Sequence, residues 1–220
     1  MSERRPNCFV FDCDGVILDS NSIKTEAFRE VAAPYGTEVS EAFVDYHRRN
    51  GGVSRYLKIA YLREELLGLP EDTAEAGRLL ARFSDIVVDR LLTCPIAPGL
   101  EECRRMVPGS SWVVVSGSDQ SELRDIFNQR ELTSLFDGGI FGSPSTKSEI
   151  LSRLGSQGVL RRPAVFLGDS RLDHEAATGA AIGFSFLSRW TEFDGWEQYC
   201  HRHDVRTYSD VRAFFMATAA

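Results

Sequence analysis

The sequence has no hydrophobic run approaching the roughly 20 apolar residues that a bilayer crossing needs, so no membrane partner is expected. It has no block of Lys and Arg, and its net charge is -7, which argues against wrapping a nucleic acid polymer. The first eight residues are polar and carry no apolar signal core, so export is not expected. Cysteine is sparse. The five present (Cys8, Cys13, Cys94, Cys103, Cys200) are odd in number, scattered and free of any CxxC pair. That pattern excludes a disulfide framework or a thiolate zinc site and suits reduced thiols in a cytoplasm. Internal repeats and low-complexity tracts are also absent. What remains is an ordinary globular composition, 43% hydrophobic and 26% charged over 220 residues, enough for one large domain or a domain with an insertion. The oligomeric expectation is a monomer or small homo-oligomer.

Short apolar runs at 8–12, 111–116, 163–168 and 182–187, with a weaker one at 139–141, read as buried strands, the first three ending in Asp, Ser and Gly. Between the later ones lie helical patterns at 119–130, 146–154, 171–178 and 209–216. Strand followed by helix, repeated, predicts right-handed crossovers and a doubly wound, Rossmann-like parallel sheet of the α/β class. The stretch from Ser20 to Leu92 is different: it holds no β-rich run and reads as helices at 23–33, 40–49, 54–67 and 72–92. Gly36, Gly51-Gly52 and Gly68 to Pro70 punctuate these helices. The expected organisation is a core formed by 1–18 and 94–220, with an all-helical module at 19–93 inserted after the first strand.

Ligands of an open parallel sheet sit beyond the carboxyl ends of its strands. The polar residues there are Asp12 and Asp14 after the first strand, Ser116 and Gly117 after the second, Lys147 at a helix start, and Asp169 with Asp173 after a later strand. Carboxylates this close repel unless a cation neutralises them, and an all-oxygen ligand set favours Mg2+. A phosphate monoester fits the rest. Ser116, Gly117 and backbone N–H groups bind phosphoryl oxygens, Lys147 offsets charge, one acid attacks phosphorus and its neighbour moves protons.

Phe11-Asp-Cys-Asp-Gly-Val-Ile-Leu-Asp-Ser20 resembles the first motif, DxDGxxxDS, of the haloacid dehalogenase superfamily. Ser116 after three valines is similar to the second motif, Lys147 to the third, and Gly168-Asp-Ser-Arg-Leu-Asp173 to the fourth. The four stand in order and span the core from Cys8 to about Leu187. The resemblance implies a phosphatase with Asp12 as nucleophile and metal ligand. Asp14 would be the general acid/base, with its carbonyl on the metal. Ser116, Gly117 and Lys147 would hold the phosphoryl group, Asp169 would be a direct Mg2+ ligand, and Asp173 would orient metal waters or Lys147. The insertion would be a C1 cap, as in relatives of phosphoglycolate phosphatase and β-phosphoglucomutase. Val16 departs from the usual threonine, a change that a backbone contact would survive.

Other features carry weaker signals. His47 to Arg55 is a glycine turn with basic flanks that could aim Arg55 at a small phosphorylated metabolite, against the plainer reading of a solvated face with Ser54 as helix cap. His174, His201 and His203 read as helix-face and surface residues, Trp190 and Trp196 as packing. Cys13 lies between two aspartates, but alternation points it away from them. A phosphomutase would use the same core residues. A phospho-accepting module without turnover is the alternative of another class, although acids that follow the lysine fit it poorly.

Overall fold

The computed structural model describes residues 5–218. In chain order the elements are β1 (Cys8–Phe11), α1 (Asn21–Ala32), α2 (Thr37–Arg49), α3 (Arg55–Tyr61), α4 (Thr73–Thr93), α5 (Leu100–Met106), β2 (Ser111–Asp119), α6 (Gln120–Gln129) and β3 (Ile140–Ser143). The chain continues through α7 (Lys147–Ser156), β4 (Ala164–Gly168), α8 (Arg171–Gly179), β5 (Gly183–Leu187), α9 (Trp196–Arg202), β6 (Arg206–Tyr208) and α10 (Val211–Thr218).

The six strands form one parallel sheet in the order β3-β2-β1-β4-β5-β6. β1 is central because all four of its side chains are apolar and buried; Cys8 pairs with Ser111 of β2 on one side and Ala164 of β4 on the other. The period of two splits the strand between two cores. Phe9 and Phe11 face a cluster with Trp112, Val114, Leu167 and Phe215, while Cys8 and Val10 face Val113, Ile150, Leu154 and Phe166. Cys13 is buried in the same apolar cluster as Phe9 and Phe11. The ring of Phe11 lies 4.6 Å from Trp112 and that of Phe9 4.9 Å from Phe215, so β1 is clamped by aromatic contacts.

Helices α1 to α4 pack on one another around Phe28, whose ring meets Phe43 at 5.3 Å and Phe83 at 4.4 Å. The segments that join them to the sheet run side by side: Asp19 N–H donates to the Pro95 carbonyl at 3.0 Å and Ala97 N–H to that of Ile17 at 2.8 Å. Asp72 caps α4 by accepting from the N–H groups of Ala74 and Glu75, and Ser54 caps α3 by accepting from Leu57. The single helix expected over 54–67 is instead α3 followed by a π-helical turn, Leu62–Leu66. Three elements lie outside the sequence expectations: α5, α9 and the edge strand β6. Among the described residues no helix is long and apolar enough to cross a membrane.

Candidate active site

The loop after β1 turns sharply at Gly15, whose φ is +75°. A Cβ there would lie 2.1 Å from an Asp169 carboxylate oxygen, so the turn brings the β1 and β4 loops into contact only because the side chain is missing. Asp12, the first residue past β1, is 3% exposed. Its Oδ1 accepts from Cys13 N–H and its Oδ2 lies 2.7 Å from Lys147 Nζ.

Lys147 opens α7, behind a capping box made by Thr146 and Glu149. A cation in a first helical turn opposes the helix dipole, and its partners here outweigh that penalty. Nζ lies between Asp12 and Asp173 Oδ1, the latter at 2.5 Å. Burial disfavours the ammonium form, yet the Asp12 and Asp173 carboxylates reverse the balance and hold Lys147 above the ordinary lysine range. Asp173 is fixed by a second capping box, its Oδ2 accepting from the hydroxyl and N–H of Ser170. Asp169 accepts from Asn21 Nδ2 at 2.7 Å, and the same amide donates to the Trp190 carbonyl.

Asp12, Asp169 and Asp173 each offer an oxygen within 4.8 Å of the others, all buried. One lysine cannot neutralise three carboxylates. Burial, with Asp173 and Asp14 nearby, pushes Asp12 up to about 7 against the pull of Lys147. Burial, then Asp12 and Asp173, pushes Asp169 well up. A hard divalent cation would relieve this, and the all-oxygen donor set suits one. The residues present fit the group.

Asp14 faces elsewhere. Its carboxylate accepts from Ser20 Oγ at 2.6 Å, Lys24 Nζ at 2.6 Å and Ser118 Oγ at 2.7 Å. Burial works against its ionisation, but the Lys24 charge and these three donors prevail and hold it well below the usual carboxylate range. Ser116, fully buried, accepts from Ser118 N–H at 3.1 Å. At Gly117 a Cβ would lie 2.2 Å from the Gly52 carbonyl oxygen, so the turn between α2 and α3 rests directly on the end of β2.

A cavity opens between these strand ends and the α1 to α4 helices. Asp12, Asp14, Gly117 and Asp169 line it from below; Lys24, His47, Arg55 and Lys58 line it from the helical side. Of the residues singled out in the sequence, Asp12, Lys147, Asp169 and Asp173 meet directly, and Asp14 stands beside them with its own partners. Arg55 borders the cavity, but its guanidinium forks onto Glu122 of α6, at 2.5 and 2.8 Å, and donates to Ser84 at 2.8 Å. His174 bonds the Tyr199 hydroxyl at 2.9 Å, makes tilted and edge contacts with Phe184, Tyr199 and His203, and does not line this cavity. Sequence reasoning assigned no role to Asn21, Lys24, Lys58 and Ser118, and took His47 only as the start of a basic-flanked turn. For Lys24 a signal existed: like Lys147, it is a lysine near a helix N-terminus where the dipole disfavours it.

The chain belongs to the haloacid dehalogenase-like hydrolases, whose family model matches residues 6–181. It is 25% identical over 189 residues to a phosphorylated carbohydrates phosphatase of Thermotoga maritima, covering 79% of this chain and 81% of that one. By fold it resembles β-phosphoglucomutase from Clostridium difficile, with a TM-score of 0.73, 16% identity and coverage of 98% and 97% of the two chains. A Lactobacillus plantarum protein provisionally assigned as a phosphoglycolate phosphatase superposes with a TM-score of 0.71, 18% identity and coverage of 98% and 99%. At such identities these two structures speak for the fold alone.

Proposed function

We propose that this protein is a Mg2+-dependent phosphatase that hydrolyses a small phosphate monoester, of the sugar phosphate, phosphoglycolate or nucleotide monophosphate class, through a phosphoaspartate on Asp12. The observation that carries this reading is the contact of Asp12 with Lys147 inside a buried three-carboxylate cluster. Asp12 Oδ attacks phosphorus, an acyl phosphate bond forms and the ester P–O bond breaks. Lys147 and Ser116, with the N–H of Gly117, hold the phosphoryl oxygens. Asp14, held ionised in the resting site by Lys24, Ser20 and Ser118, relays to the leaving oxygen a proton that enters with the monoanionic ester. Its ionised form, which Lys24 and Ser118 favour, then takes a proton from the water that cleaves the acyl phosphate. Asp12, Asp169 and the Asp14 carbonyl would hold the cation, which would supply Lewis-acid stabilisation of the phosphoryl charge. Asp173 fixes Lys147 in place.

Residues 19–93 would act as a cap over a core formed by 1–18 and 94–220. This division is supported by the Gly52 turn lying on Gly117 and by the ties from Arg55 to Glu122 and from Tyr56 to Asp119. Five buried free thiols suit a reducing cytoplasm.

The test is phosphate release from a generic aryl phosphate with and without Mg2+. Asp12→Asn is expected to lose about 10³-fold or more of the wild-type rate, as nucleophile removals do. A variant as active as wild type would sink the mechanism. An isomeric ester appearing in place of free phosphate would reassign the second step to phosphoryl transfer.

A further inference from the structure

Three lysines and one arginine are buried around the cavity, and three of the four have counter-charges. Lys147 has Asp12 and Asp173, Lys24 has Asp14, and Arg55 has Glu122. Lys58 is different. It is 2% exposed, and its Nζ lies 2.6 Å from His47 Nδ1 and 5.3 Å from the centre of the Phe28 ring. Among the described residues no carboxylate comes within ion-pair distance of it. The acids nearest the outer cavity are committed: Glu175 pairs with Arg171 at 3.3 Å, and Glu192 accepts from the Thr25 hydroxyl. Arg48, exposed at the cavity wall, adds positive charge without an ion-pair partner among the described residues.

We propose that Lys58 and His47 form an anion subsite on the helical side of the cavity, and that the ester hydrolysed carries a second negative group on its leaving group. This rests on the phosphatase reading given above. The physical case is one of unmet charge. A buried ammonium whose only hydrogen-bond partner is an imidazole forgoes several kcal/mol of hydration, and the more distant charges of Asp14 and Glu192 do not make good the loss. Such unfavourable placements persist where a ligand completes them. A carboxylate or phosphate oxygen would supply a charge-assisted hydrogen bond in a site shielded from water. Position agrees with the role. Lys58 lines the same cavity as Lys24 and Asp14, the acid that would serve the departing oxygen. Burial, then Lys58 and Lys24, hold His47 well below its ordinary range. The imidazole is therefore neutral and accepts from the ammonium through Nδ1.

The experiment is calorimetric binding of non-hydrolysable phosphonates to the wild-type protein in the presence of Mg2+. Alkylphosphonates of one to three methylenes are compared with phosphonates of equal length ending in a carboxylate or a second phosphonate. At one or more lengths the doubly anionic ligand is expected to bind about tenfold to a hundredfold tighter, the worth of one charge-assisted hydrogen bond. That ratio is expected to fall towards one in Lys58→Met, which removes charge at nearly constant volume. The two termini separate a carboxylate from a phosphate site. Equal affinities at every length in wild type would overturn the subsite, whether or not the variant folds. A preference that survives Lys58→Met would overturn its assignment to Lys58. Should no ester release phosphate while the Lys58-dependent preference persists, the subsite stands and the phosphatase reading falls. Normal release from an aryl phosphate with no preference has the reverse meaning.

Discussion

A lysine buried beside carboxylates and a lysine buried beside an imidazole respond to pH in opposite directions, and this cavity holds both kinds. Lys147 is raised by its two acids, whereas burial, then Lys24, depress Lys58 to about 7 from an ordinary 10.5. The groups facing Lys58 are His47, Lys24, Asp14, Lys147 and Glu192. For a depressed lysine the unfolded chain binds more protons than the native state between the two values, so stability rises with pH across that window. The contribution is fully present above about 10.5 and is lost as pH falls through about 7. Lys58→Met should therefore be more stable than wild type at low pH, by roughly 1–3 kcal/mol. Urea unfolding between about pH 6 and 9 should show the gap narrowing as pH rises. A gap that does not change with pH would mean that Lys58 is not burdened by its charge. The same contrast explains what the sequence could reveal. Asp12, Asp14, Lys147, Asp169 and Asp173 were legible because each belongs to a short motif at a strand end or helix start. Lys58 and His47 acquire meaning only when α2 and α3 pack together, and no local pattern encodes that meeting.

At the scale of elements, the point of closest approach is the turn between α2 and α3 on the end of β2. The backbone oxygen of Gly52 would lie 2.2 Å from a Cβ at Gly117, and backbone atoms cannot swing aside as a side-chain end can. Gly117→Ala should thus lift the turn, while Arg55–Glu122 and Tyr56–Asp119 keep the helices tethered. A displacement near 1 Å at a reacting site costs on the order of a hundredfold in rate, so kcat/KM should drop by about that much. Hydrogen exchange should rise over residues 50–54 with little change in the sheet. An unaltered kcat/KM would show that the turn's seat on β2 is irrelevant to turnover. Elements differed in legibility for physical reasons. Strands β1, β2 and β4 are continuous apolar runs buried on both faces and stood out. Strand β6 has three residues, none fully buried, at the sheet edge, and has no apolar alternation to notice. Helices α5 and α9 have seven residues each and bury only two and one of them, too little for a helical period to show.

Across the whole molecule, negative charge is in excess and its most costly part is concentrated at one buried point. The net charge is -7, and Asp12, Asp169 and Asp173 place three carboxylates around a single lysine at the sheet's centre. The strands carrying these acids, β1 and β4, are adjacent, so repulsion within the cluster acts directly on a buried pairing at the centre of the sheet. An ion bound there acts on folding as well as on chemistry, because the cluster does not exist in the unfolded chain. At a Mg2+ concentration of 100 times Kd the native state should gain about 2.7 kcal/mol. In a chain of this length that corresponds to a rise in Tm of roughly 5–11 °C. Thermal melting with Mg2+, against a monovalent salt of equal ionic strength, separates specific binding from general screening of the net charge. Asp169→Asn removes one donor of the cluster and keeps its shape, so the Mg2+-dependent rise should largely vanish in that variant. The same rise in Asp169→Asn, or none in wild type, would place the cation elsewhere and leave Lys147 as the cluster's only counter-charge.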